Sequence, residues 1–305
     1  MNAGLPGARA SGHAGSLLKA AFAVTVWGAS FVATKIALRE MTPVALVWAR
    51  FALGLPVLGA FVLARRQLRP VSRGDLAYFL LVGFLAITFH QWLQSNGLLT
   101  AQATTTGWIV ATSPLFIAIL GRLFLGEKLG LLGIAGILVA AFGVLLIVAK
   151  GDPRAIAIGW SGTPGDTLIL ISALNWAVVS VISRRGLKRH PAALMMFYVM
   201  LLGWLLTTAL FVAQSGFHGF GRLTATGWTA LLFLGFLCSG VAYVFWYDAL
   251  ERIPAWRVGA FLYLEPLITV AVAAAVLGEV VRGGTMIGGA ITLFGLWLVN
   301  RERAG

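Results

Sequence analysis

The chain has 305 residues, of which 59% are hydrophobic and only 11% charged, well under the share of charge in a soluble domain. A single core could not hide that much apolar surface, which excludes a soluble protein of this length and makes lipid the natural solvent. The net charge of +13 sits in short basic clusters between apolar runs, which argues against nucleic acid, and the single cysteine, Cys238, excludes an intramolecular disulfide.

Residues 1–16 are small, polar and Gly-rich and are expected to form a disordered cytoplasmic lead-in. Ten runs of membrane length come after it: 17–38, 43–64, 75–97, 101–125, 129–149, 165–185, 191–213, 226–250, 253–277 and 282–300. The first run could pass for a signal peptide. It is long enough to cross, however, holds Trp27, ends on Lys35 and offers no convincing cleavage site, so a retained helix is expected. The second carries Arg50 seven residues in, about 10 Å deep at 1.5 Å per residue. The third ends in ITFHQWLQSNG, which puts His90 and Gln94 one turn apart with Gln91 bordering the same face.

The fourth run reads TTTGWIVATSP, with Thr105, Trp108 and Thr112 at helical spacing before Pro114. These residues line a cavity, or the threonines bond their own backbone. The fifth run is scaffold: Gly130, Gly133, Gly136 and Gly143 allow close packing and no charge lies in mid-span. Residues 150–164 form an extracytoplasmic linker between repeats 17–149 and 165–300. The sixth run holds Asn175, a substrate donor or an interhelical clamp, beside Trp176. The eighth reads GVAYVFWYDAL, where Tyr243 and Trp246 either line the cavity or belong to an interfacial aromatic belt. In the ninth, Glu265 precedes Pro266. It is read as a proton-coupling group or a ligand for a substrate amine, or else as an ion-pair partner of Arg50. The tenth is scaffold again, through Gly284, Gly288 and Gly295, and 301–305 is a cytoplasmic tail. Lys35, Arg122 and Arg257 lie near span ends and snorkel.

A shift of 152 positions aligns residues 89–148 with the second half without a gap. Pro114 falls on Pro266, Leu125-Gly126-Glu127 on Leu277-Gly278-Glu279, Gly107 on Gly259, and Phe142-Gly143 on Phe294-Gly295. Gln91 meets Tyr243 and Gln94 meets Trp246, so the same face is polar or aromatic in both halves. The repeating unit has five helices, an odd number, so the second copy enters the membrane inverted. Inverted repeats let two halves exchange conformations and open a central site to either face, with Pro114 and Pro266 as paired hinges. Arg65, Arg66, Arg69, Arg73, Arg184, Arg185, Lys188 and Arg189 all fall on the side of the N-terminus, which puts both termini in the cytoplasm.

The words WGASFVATKIAL (27–38), ARF (49–51), SPLFIAILGRLFLGEKL (113–129), the glycine spacing from Gly133 and EPLITVAVAAAVLGE (265–279) resemble the drug/metabolite transporter superfamily, in its ten-helix EamA-type branch. The resemblance covers residues 17–300. It implies a carrier of small organic metabolites in a bacterial inner membrane, frequently an exporter, and the length and aromatic content are similar to amino-acid exporting members. The second half departs from the pattern with NWAVVSVISRRG in place of a WGxxF word, so the halves are chemically unequal.

The expected protein is therefore an all-α membrane protein, a secondary exporter of neutral or zwitterionic solutes and not an enzyme. Its expected lining is Trp27, His90, Gln91, Gln94, Trp108, Thr112, Asn175, Trp176, Tyr243 and Trp246. The partners called for are a small-molecule substrate and the bilayer, with no cofactor and no metal; a monomer is expected and a dimer left open. Exporters of cationic drugs or nucleotide precursors share the fold and are the alternative within it. A channel or an intramembrane enzyme built on Ser239 and His90 is the alternative of another class, although no G-x-S-x-G word is present. No P-loop is present either, so gradients or the substrate itself must drive transport.

Overall fold

The computed structural model describes residues 6–125, 130–149, 162–214, 216–252, 258 and 261–304. Among them every regular element is a helix. Lipid dictates this, because a helix satisfies its backbone N–H and C=O groups within one segment. In chain order the helices are α1 (Pro6–Ala37), α2 (Pro43–Ala64), α3 (Arg73–Gly97), α4 (Ala103–Val110 and Ser113–Leu125) and α5 (Leu131–Val148). The second half repeats the series as α6 (Pro164–Leu187), α7 (Ala192–Ala213), α8 (225–252), α9 (Phe261–Leu277) and α10 (Gly283–Ala304). Seven are long and apolar enough to cross a membrane, and α5, α9 and α10 supply shorter apolar stretches. The fold is the expected one of ten helices in two inverted five-helix repeats.

Short polar words set the boundaries. Thr42 accepts a hydrogen bond from Ala45 N and Pro43 opens α2, while Thr163 and Asp166 form a reciprocal capping box before α6. Ser72 and Thr224 cap α3 and α8 in the same way as Thr42. The expected spans agree to within a few residues except at α1 and at α9, which begins at Phe261 where 253 was expected, residues 253–257, 259 and 260 lying outside the described ones. Helix α1 already begins at Pro6, whose fixed φ suits a first turn, and so extends into the segment read as disordered. Gly126, Glu127, Lys128, Arg257, Gly259 and linker residues 150–161 lie outside the described residues.

The packing respects the duplication. α1 packs on α8 and α9, and α6 packs on α3 and α4. α2 lies against α8 as α7 lies against α3, while α4 meets α9 and α5 meets α10. Exchanging the halves maps each pair onto another pair or onto itself. The contacts that build the bundle are thus mostly between repeats. The buried apolar side chains fall into separate groups around a polar centre: Phe51, Leu58, Phe79, Ile87 and Met200 on one side, Leu46, Phe211, Leu231 and Leu234 on another, and Phe31, Ile109 and Ile169 on a third. α5 and α10 stand outside this arrangement as a closely crossed pair. A side chain at Gly143 would run into the Gly288 carbonyl and Thr292, so glycine sets the crossing distance.

Candidate functional site

Two π-helical stretches aim the central side chains. They span Phe84–Phe89 in α3 and Phe233–Val241 in α8, overlapping positions of the two repeats. A π-turn fits extra residues into a helix and rotates the side chains beyond it, and it frequently marks a functional position. Here the residues at and after the turns are His90 and Gln91 in one half and Cys238, Ser239 and Tyr243 in the other.

Arg50 reaches from α2 to both. Its Nε donates to Ser239 Oγ at 3.0 Å, Nη1 to Gln91 Oε1 at 3.0 Å and Nη2 to Cys238 Sγ at 3.1 Å. The residue is 6% exposed. Gly54 makes this possible, since a Cβ there would lie 2.7 Å from Ser239 Cβ and push α8 off α2. All three partners are neutral. The expected ion pair with Glu265 is not formed among the described residues, because the donors of Arg50 reach the π-turn of α8 and the amide of Gln91 instead.

Trp27 of α1 forms the adjoining wall. Its ring meets Tyr243 edge-on at 5.4 Å and Trp246 at 5.1 Å, and its Nε1 donates to Cys238 O at 3.2 Å. Glu265 is half-buried where α9 turns from a 3₁₀ turn (Phe261–Leu264) into an α-helix, and its carbonyl packs against Gly28 of α1. Thr269 Oγ1 bonds both Gly28 O (2.8 Å) and Glu265 O (2.9 Å), which ties α1 to α9 at this level. The Glu265 carboxylate itself has no hydrogen bond or ion pair among the described residues.

The structure thus brings together Trp27, Arg50, Gln91, Tyr243 and Trp246, while Glu265 meets α1 through its backbone at Gly28. The other candidates lie elsewhere. His90 packs on Trp176 at 5.1 Å between α3 and α6. Asn175 Nδ2 donates to Leu85 O at 2.9 Å, clamping α6 to the π-turn of α3. Thr112 Oγ1 bonds Ile109 O at 2.7 Å at the break in α4. Trp108 is buried among Ile147, Val270 and Leu293, against α5, α9 and α10. Gln94 is half-buried near the end of α3. Pro114 and Pro266 each sit second in a restarted α-helical segment, the first after the break at residues 111–112 and the second after the 3₁₀ turn.

Sequence reasoning missed the fastenings at the two ends. At the arginine-rich end, Asp248 of α8 is 2% exposed and bonds Lys19 of α1 and Arg65 of α2, with Arg252 at 3.5 Å. Its counterpart in the repeat is Asn96, whose Nδ2, among the described residues, bonds only its own helix, at Trp92 O (2.8 Å). At the opposite end, Glu279 accepts from Ala103 N, Thr104 N and Thr104 Oγ1, each at 2.9 Å, and lies 3.5 Å from Lys35 Nζ. Burial pushes the Glu279 carboxyl up, but the Thr104 and Ala103 donors and the Lys35 charge outweigh it and hold the group below its ordinary range. The duplicated Leu-Gly-Glu word was the signal available for this residue.

The described residues contain no group of three His, Cys, Asp or Glu side chains able to hold a metal. Open concavities of about 220 Å³, lined by Asp75, Tyr78, Arg185 and Arg189, and about 490 Å³, between α2 and α7, lie away from the central cluster.

The pattern of the EamA-like transporter family matches the chain twice, over residues 15–149 and 163–301. An uncharacterized transporter of Archaeoglobus fulgidus is 32% identical over 93% of this chain and 96% of its own. A probable terminal-alkyne amino-acid exporter of Streptantibioticus cattleyicolor is 29% identical over 92% of both chains. A probable amino-acid metabolite efflux pump of Escherichia coli is 27% identical over 90% of this chain and 91% of its own. One crystal structure, 21% identical, superposes with a TM-score of 0.66 over 93% of this chain and 98% of its own, a likeness of fold.

Proposed function

This chain belongs to the EamA-like transporter family, and from that premise we propose that it exports small zwitterionic metabolites, amino acids first, across the cytoplasmic membrane of a bacterium. The observation that carries the reading is the cluster of Trp27, Arg50, Gln91 and Tyr243, where polar and aromatic side chains from both repeats meet inside an apolar bundle. Polar groups are costly in a membrane interior and are kept there for work. The names of two relatives, an amino-acid exporter and an amino-acid metabolite efflux pump, support the same substrate class.

In this reading the substrate binds between the repeats and is released by alternating access. The arginine-rich end faces the cytoplasm, with both termini, because basic loops stay inside. The Asp248 and Glu279 fastenings then lie at opposite faces of one path, and the breaks before Pro114 and Pro266 are where α4 and α9 bend. The carrier works as a monomer and needs no cofactor.

Counterflow in proteoliposomes tests this. Labelled neutral and aromatic amino acids are expected to move saturably, with and without a pH gradient, and the two conditions report whether protons are coupled. Saturable movement of cationic drugs with no movement of amino acids would replace the reading with drug export. Accessibility labelling of single cysteines in residues 1–16 and 301–305, in a Cys238→Ala background, should find both on the cytoplasmic side; labelling from opposite sides would remove the inverted repeat.

A further inference from the structure

The seam between α2 and α7 holds a groove of about 490 Å³, open to the outside of the bundle. Small residues on α2, Ala52, Pro56 and Gly59, recur about once per turn and leave the hollow, and Phe197, Leu201 and Trp204 rise opposite them on α7 at the same helical spacing. Both walls are fixed. Trp204 Nε1 donates to Trp48 O at 3.1 Å, and Tyr198, next to Phe197, donates its hydroxyl to Arg69 O at 2.9 Å. A Cβ on Gly59 would lie 3.1 Å from the Phe197 ring, so glycine keeps the hollow open. From Ala52 to Leu63, the last lining residue of α2, the helix rises about 16 Å. That is half of a hydrocarbon core of about 30 Å, the depth of one leaflet.

The Leu63 end of the groove carries cations. Arg66 donates its N–H to Leu63 O at 2.9 Å, and Arg69 is held beside Phe197 through Tyr198. Both are exposed, and among the described residues neither side chain has a hydrogen bond or ion pair. The acids of this end are engaged elsewhere: Asp248 with Lys19 and Arg65, and Asp75 with Arg189. Arg66 also stands at a φ of 55°, in the left-handed region. Glycine takes that conformation without penalty, whereas arginine is strained there, and such strain collects at functional positions.

We propose that this groove binds one anionic phospholipid, with an acyl chain between α2 and α7 and the phosphate on Arg66 and Arg69. The site goes beyond the export reading and does not depend on it. Two unpaired cations at headgroup depth favour an anionic lipid over a zwitterionic one by about tenfold or more. A hollow one leaflet deep suits a single chain, where a second copy of this protein would need a broad face. Because α2 belongs to the first repeat and α7 to the second, the lipid bridges the halves, and its binding stabilises their seam.

The test compares dioleoylphosphatidylglycerol with dioleoylphosphatidylcholine on the purified, detergent-solubilised protein, by native mass spectrometry for bound lipid and by melting temperature. Wild type should bind the anionic lipid about tenfold or more tightly than the zwitterionic one and melt higher with it. Arg66→Gln combined with Arg69→Gln alters exposed side chains without partners and should fold normally; it should bring the two lipids to within about twofold of each other. Arg185→Gln combined with Lys188→Gln removes the same charge from the end of α6 and should leave the preference as in wild type. Ala60→Phe, at an exposed lining position, fills the groove and should weaken both lipids. A preference kept without Arg66 and Arg69, or lost equally without Arg185 and Lys188, would overturn the proposal, because the attraction would then be diffuse. So would competition by sn-glycerol 3-phosphate at the concentration of the lipid itself, which would make the ligand a free phosphate. A dimer that Ala60→Phe splits would also overturn it, by seating a second copy in the groove.

Discussion

Glu279 closes one end of the bundle with few contacts. One carboxylate satisfies two free N–H groups at the start of α4, the hydroxyl of Thr104 and the charge of Lys35. The carboxyl titrates below its ordinary range in the folded protein, so its contribution is complete above the unfolded value of about 4.3 and is lost as pH falls through the lower folded value. Glu279→Gln should therefore cost about 1–2 kcal/mol at pH 7, the size of a lost cap, and lower the melting temperature by a few degrees. The gap between variant and wild type should shrink once the pH drops well below 4; a gap that persists there would show that the contribution is not ionic. The repeat marks Glu279 in the sequence, but it does not mark the donors, which lie 175 and 176 residues away on another helix. Gln91 and Tyr243 are legible for the same reason, as a polar position matched by an aromatic one. The partners of Arg50 are not, because they depend on where a helix winds more loosely, and no residue type announces that.

At the scale of the element, hydropathy alone finds the ten helices because lipid imposes length and polarity on each. It does not find the π-turns in α3 and α8 or the break in α4, which change side-chain direction without changing composition. Trp108 shows the cost of that blindness: spacing along a regular helix leaves its direction open, and in the structure it faces α5, α9 and α10. The turn in α8 depends on a close crossing at Gly54. Gly54→Ala should push Ser239 away from Arg50, with an overpacking cost of about 1–3 kcal/mol in stability and a raised half-saturation, while membrane insertion is unchanged. Gly143→Leu, at the crossing of α5 and α10, should do the reverse. Melting temperature should fall, while the ranking of substrates in the protein that folds stays as in wild type, because that pair lies outside the central cluster. Counterflow and thermal melting on the two variants separate site from scaffold.

The whole molecule is two copies of one unit, yet the copies are not equal. Asp248 draws α1, α2 and α8 together at the arginine-rich end through three cations. Among the described residues, the matching position in the other copy, Asn96, bonds only its own helix. Under the proposed alternating access, the Asp248 fastening adds to the cost of opening the arginine-rich face and the Glu279 fastening to that of opening the other, and any imbalance between the two biases the resting population. A passive carrier cannot turn such a bias into one-way flow, since at equal concentrations the ratio of maximal rate to half-saturation must match in the two directions. The bias appears instead as unequal half-saturation from the two sides, offset by an equal inequality in maximal rate. Asp248→Asn should change the ratio of the two half-saturation values. The consequence is kinetic: a cell could load this carrier from one side at concentrations that leave it nearly empty from the other.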